Sequence, residues 1–171
     1  MVKKKEIAVT AHKVLMDNNE IGDNVSCTLP DIEHATSELK GAGIAGTIDV
    51  PLMGMFNSMT FSMDFRGLNR NSAAALKPGI TNLELRFLKD TIASNGNYIA
   101  EGTKVFVSGY NKKVAPGKVE TGASMDSSAE YEVTRYRIIC DGVEVLLIDK
   151  LAGVYKVNGI DYMQKAREVL G

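Results

Sequence analysis

The stretch "SMTFSMDFR", residues 58–66, constrains the fold of this chain more than any other feature. Met59, Phe61, Met63 and Phe65 alternate with Thr60, Ser62, Asp64 and Arg66, which is the period of a strand with one face in the core and one in water. Just upstream, Ile48, Val50 and Leu52 alternate against Thr47, Asp49 and Pro51. The proline predicts an edge or a strand end there, because it has no N–H to give a ladder. A chain with such segments must pair strands to satisfy its backbone.

Turn chemistry says where the chain reverses. Asn95-Gly96 lies between "NLELRFLKDTIA" and "NYIAEGTKVFVSG", and Asp141-Gly142 between "SAEYEVTRYRIIC" and "VEVLLIDKLAGV". Both dipeptides favour tight primed hairpin turns, since both residues tolerate positive φ. Asn158-Gly159 predicts a third turn. Helical signals are confined to two places. "RNSAAALK" carries a capping asparagine, Asn69 or Asn71, and a stop at Pro78-Gly79, which predicts a helix of about two turns. "DYMQKAREVL" at the C-terminus has Asp161 as its cap and Met163, Ala166 and Leu170 on one face.

The expected fold is therefore mainly β, a small β-sandwich or barrel with a short flanking helix and a C-terminal helix. A length of 171 residues predicts one domain over 1–171 that buries its own core. Residues 30–47 and 110–127 are polar and glycine-rich without periodicity and are expected as long loops.

Several chemistries are testable from residue types and spacing. "GAGIAG", residues 41–46, matches G-x-G-x-x-G, but a dinucleotide site needs a buried strand before the glycines and a helix after them. Polar "EHATSELK" precedes them and strand-like "TIDVPLMGMF" follows, so the glycines are read as a loop that exploits positive φ or close backbone approach. "DNNEIGD" puts Asp17, Asn19 and Gly22 at calcium-loop positions, yet Ile21 and Thr28 stand where further ligands belong. It is read as a polar turn. His12 and His34 have no partner at metal-ligand spacing. Cys27 and Cys140 lack a C-x-x-C pattern and are expected as reduced, half-buried thiols; a Cys-His nucleophile remains open at this point, with no glycine-rich elbow to support it.

A net charge of -1 gives no bulk attraction to polyanions. Lysines 3, 4 and 5 and lysines 112 and 113 have no interleaved aromatics for stacking bases. His12 and Lys13 interrupt what would be the apolar part of an export signal, and no apolar run approaches membrane-spanning length, so the chain is expected to be soluble when made.

Four motifs then carry a resemblance: "SCTLP" at 26–30, "ELKGAGIAG" at 38–46, "CDGVEVLLID" at 140–149 and "KVNGIDYMQKAREVLG" at 156–171. In this order and spacing the chain resembles the major tail tube proteins of contractile-tailed bacteriophages and of R-type bacteriocins. The resemblance implies a non-enzymatic subunit with no cofactor and no metal. It further implies six-membered rings stacked into a tube, with strands of each subunit joining a ring-wide β-barrel around a channel for DNA or for membrane puncture. The implied partners are further copies of the chain, a sheath protein, baseplate and tail-terminator proteins, a tape measure protein in the lumen, and DNA passing without sequence-specific binding. The implied location is a virion tail or bacteriocin particle, made and assembled in the host cytoplasm. Leu29, Pro30, Leu39, Gly41, Gly43, Ile44 and Gly46 would form contacts between subunits or rings. The related tube of a bacterial secretion system shares the implied architecture. A different class, a small β-sandwich binding peptide or carbohydrate, would need exposed aromatics, and the chain has no Trp.

Overall fold

The computed structural model describes residues 3–171; the first two residues of the lysine-led N-terminal stretch lie outside it. In chain order the strands and helices are β1 (Lys4–Met16), β2 (Asn19–Ile21), β3 (Asn24–Thr28), β4 (His34–Leu39), β5 (Ile48–Phe56), β6 (Thr60–Phe65), α1 (Arg70–Ala73) running into a 3-10 turn (Ala74–Leu76), β7 (Ile80–Ala93), β8 (Tyr98–Ala115), β9 (Ser127–Cys140), β10 (Val143–Asp149), β11 (Val154–Val157), β12 (Ile160–Asp161) and α2 (Gln164–Leu170). The expected mainly-β fold is what forms.

Ten strands make one sheet in the order β12-β11-β10-β9-β8-β7-β1-β2, with β6 paired to β9 and β3 to β6. All these pairings are antiparallel. The layers divide at β9: its first half, Ser127–Glu132, pairs with β6, and its second half, Arg135–Cys140, pairs with β10. Two layers thus share one strand and enclose a core between them. Val14, Leu83, Leu85, Val105 and Val107 come from one layer, Phe61, Met63 and Phe65 from the other, and Tyr131 stands where they meet. The sheet ends openly at β2, at β12 and at β3 on its branch, so the fold is a sandwich and the barrel alternative is not taken.

The alternation of residues 59–65 is realised in full, with Met59, Phe61 and Met63 wholly buried and Phe65 nearly so. In α1, Asn69 caps as expected: its side chain accepts from the Asn71 and Ser72 N–H groups, and the Ser72 hydroxyl accepts from the Asn69 N–H. Ala75 in the following turn is buried, and its carbonyl accepts from the Tyr131 hydroxyl at 3.3 Å.

Asp141-Gly142 and Asn158-Gly159 have positive φ at both positions and join β9 to β10 and β11 to β12 as tight two-residue primed turns. Asn95-Gly96 differs. Only Gly96 has positive φ, at 85°, and its N–H donates to the Ala93 carbonyl at 2.9 Å. The loop is thus a three-residue turn with a left-handed glycine, the other common hairpin solution.

Two further expectations need correction. Residues 30–47 contain all of β4, and β8 carries the chain as strand to Ala115 before an irregular segment begins; exposure on both faces hides the strand period there. The C-terminal helix is anchored without burial: Leu170 is 85% exposed, and no residue of α2 is buried. Seven residues make too short a helix to lay a continuous stripe on the sheet. The edge that Pro51 predicted is observed: β5 pairs only with β4, in a separate two-stranded sheet, and its alternating apolar residues do not reach the core.

Truncating Phe61 to Ala should lower unfolding stability by about 3–5 kcal/mol. Urea denaturation of the variant measures this, and a loss below about 1 kcal/mol would contradict the core assignment.

Candidate assembly interface

The β4–β5 hairpin stands outside the sandwich and is fastened to it at one end. His34 and Phe56 face each other at its root in register, with ring centroids 4.9 Å apart. Both pack on Tyr155 of β11, His34 at 5.9 Å and Phe56 edge-on at 5.0 Å, and Tyr155 in turn lies 5.6 Å from Tyr162. Such aromatic contacts add about 0.5–1.5 kcal/mol each beyond area burial. The His34 Nδ1 is buried there without a hydrogen-bond partner.

A second fastening involves Gly54, at φ 71°, where any Cβ would occupy the space taken by the Met163 thioether. Met163 therefore ties the C-terminal segment to the hairpin. Asp161 tightens the same segment, accepting from the Met163 N–H at 3.0 Å and pairing with Arg167, which also donates to the Gly153 carbonyl. The hydrogen bond from Arg167 holds the Asp161 carboxyl below the usual carboxylate range, with the Met163 N–H acting in the same direction.

Away from its root the hairpin is apolar and bare. Ile48, Met53 and Met55 are 51%, 59% and 55% exposed, and Leu39 and Val50 are exposed as well. Ile48 and Val50 sit in the regular part of β5, and Met53 and Met55 in the irregular stretch where Pro51–Phe56 stands opposite His34–Thr36. A two-stranded ribbon with so many bare apolar residues is marginal alone in water.

The sequence-predicted residues divide by position. Leu39, Gly41, Gly43, Ile44 and Gly46 lie at the end of β4 and in the tip that follows, where the Ile44 N–H donates to the Gly41 carbonyl at 3.2 Å. Gly43 and Gly46 have φ of 86° and 99°, and a Cβ at either would meet nothing within 4 Å. Glycine is used there for left-handed backbone in open space. The "GAGIAG" stretch is thus a hairpin tip between two strands, and the next helix is α1. Leu29 and Pro30 are placed differently: Pro30 is buried and Leu29 half-buried against the core, so they root the segment leading to the hairpin.

The remaining candidates resolve into structural roles. Asn24 Oδ1 accepts from the Cys27 thiol at 3.4 Å and lies 3.0 Å from His12 Nε2. Its amide nitrogen donates to the Ser26 and Asp64 carbonyls, so Oδ1 is the acceptor and His12 Nε2 the donor. The imidazole thus offers that nitrogen no lone pair, and burial pushes the Cys27 thiol up to about 12. That arrangement opposes nucleophile activation. Asp17 and Asn18, both at positive φ, form the β1–β2 turn. Lys77, with the Asn82 N–H, holds the Asp17 carboxyl below its usual range, a brace rather than a calcium ligand. Among the described residues no group of His, Cys, Asp or Glu converges to hold a metal. Lys112 bonds Thr60 and Glu132, and Cys27 and Cys140 are both free and half-buried.

The strand β1 is the other open feature. It pairs with β7 throughout but with β2 only at Val14–Met16, so the edge along Lys4–Lys13 is unpartnered among the described residues. Open edges and a bare apolar ribbon define a subunit made for assembly rather than a free-standing domain.

Comparison with known proteins identifies the kind. The model of the family described as "Phage tail tube protein FII" matches residues 8–171, and the chain belongs to that family. It is a structural component of a phage tail tube. A curated relative, the tail tube protein of Escherichia phage P2, is 25% identical over 154 residues, covering 85% of this chain and 86% of that protein. Among solved structures, a chain of the 6-fold symmetrised cryo-EM structure of the anti-feeding prophage baseplate aligns with a TM-score of 0.47 at 10% identity, over 75% of this chain and 90% of that one.

Two outcomes follow from the hairpin root. Gly54→Val, which places a branched side chain at positive φ in the Met163 seat, should cost about 1–3 kcal/mol and speed amide exchange over residues 160–171; unchanged exchange would mean Met163 does not fasten the segment. The lowered Asp161 carboxyl makes its clamp fully present above the ordinary carboxylate value and lost as pH falls through the folded value, below about pH 4. Exchange at residues 161–171 should rise there in the wild type and show no such step in Asp161→Asn.

Proposed function

We propose that residues 1–171 act as one tail-tube domain, the subunit of the inner tube of a contractile tail or of a phage-tail-like bacteriocin, forming six-membered rings that stack around a channel. The observation that carries this reading is the β4–β5 hairpin, held firmly at its root yet apolar and bare beyond it. Contacts of Leu39, Gly41, Gly43, Ile44 and Gly46 with a neighbouring copy cover that surface, while Leu29 and Pro30 set the direction in which it leaves the sandwich. Repeated in one direction from copy to copy, the contact is heterologous and generates rings or stacks.

In this reading β1, β7, β8 and β9 of each copy join those of its neighbours in a ring-wide barrel. Two dozen tilted strands at ~4.8 Å spacing give a backbone diameter of roughly 40–50 Å, enough for a nucleic-acid duplex. Register shifts in β1 and between β8 and β9 support a curved wall, since bulges bend the strands that carry them. One face of these strands is packed against the core, so the opposite face lines the channel. There Arg86 bonds Glu84 at 2.6 Å, Arg137 bonds Glu144 at 2.5 Å, and Arg135 lies 3.8 Å from Asp149. Neutralised pairs of this kind suit a wall along which DNA, or a tape measure protein, slides without being held.

The outer surface then meets the sheath, and the end rings meet baseplate and terminator proteins. Synthesis and assembly occur in the host cytoplasm, and the subunit performs no catalysis. The same architecture serves DNA delivery by a phage and puncture by a DNA-free particle.

Gly43→Trp tests the reading. The variant should remain folded by circular dichroism, because its site is open solvent, and should fail to form the rings or hollow rods that the wild type forms under negative-stain electron microscopy. Normal rods from the folded variant would remove the hairpin tip from the interface.

A further inference from the structure

On the sheet face turned away from the core, Lys13, Arg86 and Lys104 stand in one row across β1, β7 and β8. Each is followed or preceded in its strand by a core residue, Val14, Leu85 or Val105, so by strand alternation the three cations point the other way together. Side chains directly opposite on one face lie about 5 Å apart, and like charges there cost stability. Arg86 bonds Glu84, and Lys13 lies 3.6 Å from Glu20. Lys104 is exposed, and no carboxylate of the described residues pairs with it. The row thus carries a charge that nothing in the subunit uses.

A groove of about 700 Å³ opens along this row, and its lining adds apolar surface, Leu88, Phe106 and Ile139, beside the three cations. Asp141 also lines it, with its Oδ1 taken by the Gly102 N–H at 3.1 Å. Gly102 forms part of the floor, opposite Leu88 in register. Its backbone is not left-handed, and a Cβ there would meet nothing within 4 Å. Gly109 in the same strand differs, because a Cβ there would run into the Glu132 carbonyl. Folding therefore requires glycine at 109 and not at 102. Glycine within a strand that needs none weakens it and marks a close approach from outside.

We propose that this groove seats an acidic polypeptide segment that also carries apolar residues, its carboxylates on Lys104, Arg86 and Lys13 and its apolar side chains over Gly102 against Leu88, Phe106 and Ile139. The inference rests on the tail-tube reading above, which turns this face toward the channel. Elsewhere on the face Arg135 and Arg137 are matched by Asp149 and Glu144, so the groove is where a negative guest is attracted. A nucleic-acid duplex meets a wall with its phosphates and sugars, which leave the apolar part of the groove empty. A peptide bearing both kinds of residue fills it. Repetition around a ring of copies multiplies such contacts, so a guest is retained while each contact stays easily broken.

Tubes assembled in the presence of a fluorescein-labelled peptide of mixed glutamate and leucine test it, with polyglutamate of equal length and a random-sequence DNA duplex as comparisons. The label that sediments with the tubes is measured against its concentration. The mixed peptide should half-saturate wild-type tubes at a concentration about tenfold below either comparison, and added salt should weaken its retention. Lys104→Glu, which sets an acid opposite Arg86, and Gly102→Val, which fills the floor, should each raise that concentration roughly tenfold while remaining folded by circular dichroism. The same titration on free subunits, read by fluorescence anisotropy, covers a variant that forms no tubes. Unchanged retention in either variant would overturn the proposal. Polyglutamate or duplex retained as tightly as the mixed peptide would overturn it too, leaving a general polyanion groove. Wild-type tubes that retain none of the three would overturn it with the tail-tube reading intact, whereas wild-type protein that forms no rings or rods at any concentration tested would remove that reading and this inference together.

Discussion

Along Lys4–Lys13 the strand β1 has a hydrogen-bonded neighbour on one side only, and the rest of the architecture is arranged around that open edge. A sheet that closed on itself would satisfy every backbone group within the subunit and have no reason to associate. This one divides at β9, folds one part over the other to enclose Phe61, Met63, Val105 and Tyr131, and still ends in the open. The subunit is therefore complete as a folded core and incomplete as a sheet. That combination is what a tube needs from its building block, because assembly then adds contacts without requiring the core to refold.

The hairpin meets the same requirement by different means. Its root is fixed by interlocking contacts, in which His34 and Phe56 pack on Tyr155 and Gly54 yields its space to Met163. A flexible loop of the same composition would lose conformational entropy each time it docked. Anchoring pays that cost once, at folding. Gly43 and Gly46 then shape the tip through left-handed backbone, a role quite unlike the phosphate cradle that their spacing mimics.

The core was legible in the sequence because it obeys a local rule. Residues 59–65 alternate, Asp141-Gly142 and Asn158-Gly159 turn tightly, and Asn69 caps α1, each through forces that act within a few residues. What was not legible depended on distant partners. Ile48, Val50 and Leu52 alternate as cleanly as the core strand, and nothing local says that their strand pairs only with β4. Gly54 is one glycine among sixteen, and only the fold brings Met163 against it. Leu170 is bare because a one-faced helical pattern states which residues share a face without stating that anything covers it. Met53 and Met55, next to Ile48 and Val50, held the one available signal: so many apolar residues in one short strand call for cover, and in this subunit they are bare.

Hydrogen–deuterium exchange on free subunits and on assembled tubes reads both open surfaces at once. Assembly should slow exchange over residues 34–56 and 4–13 together, while β6 and the inner part of β8, already protected in the free subunit, change little. Tubes that form while both segments exchange as fast as in the free subunit would show that neither the hairpin nor the open edge of β1 makes the assembly.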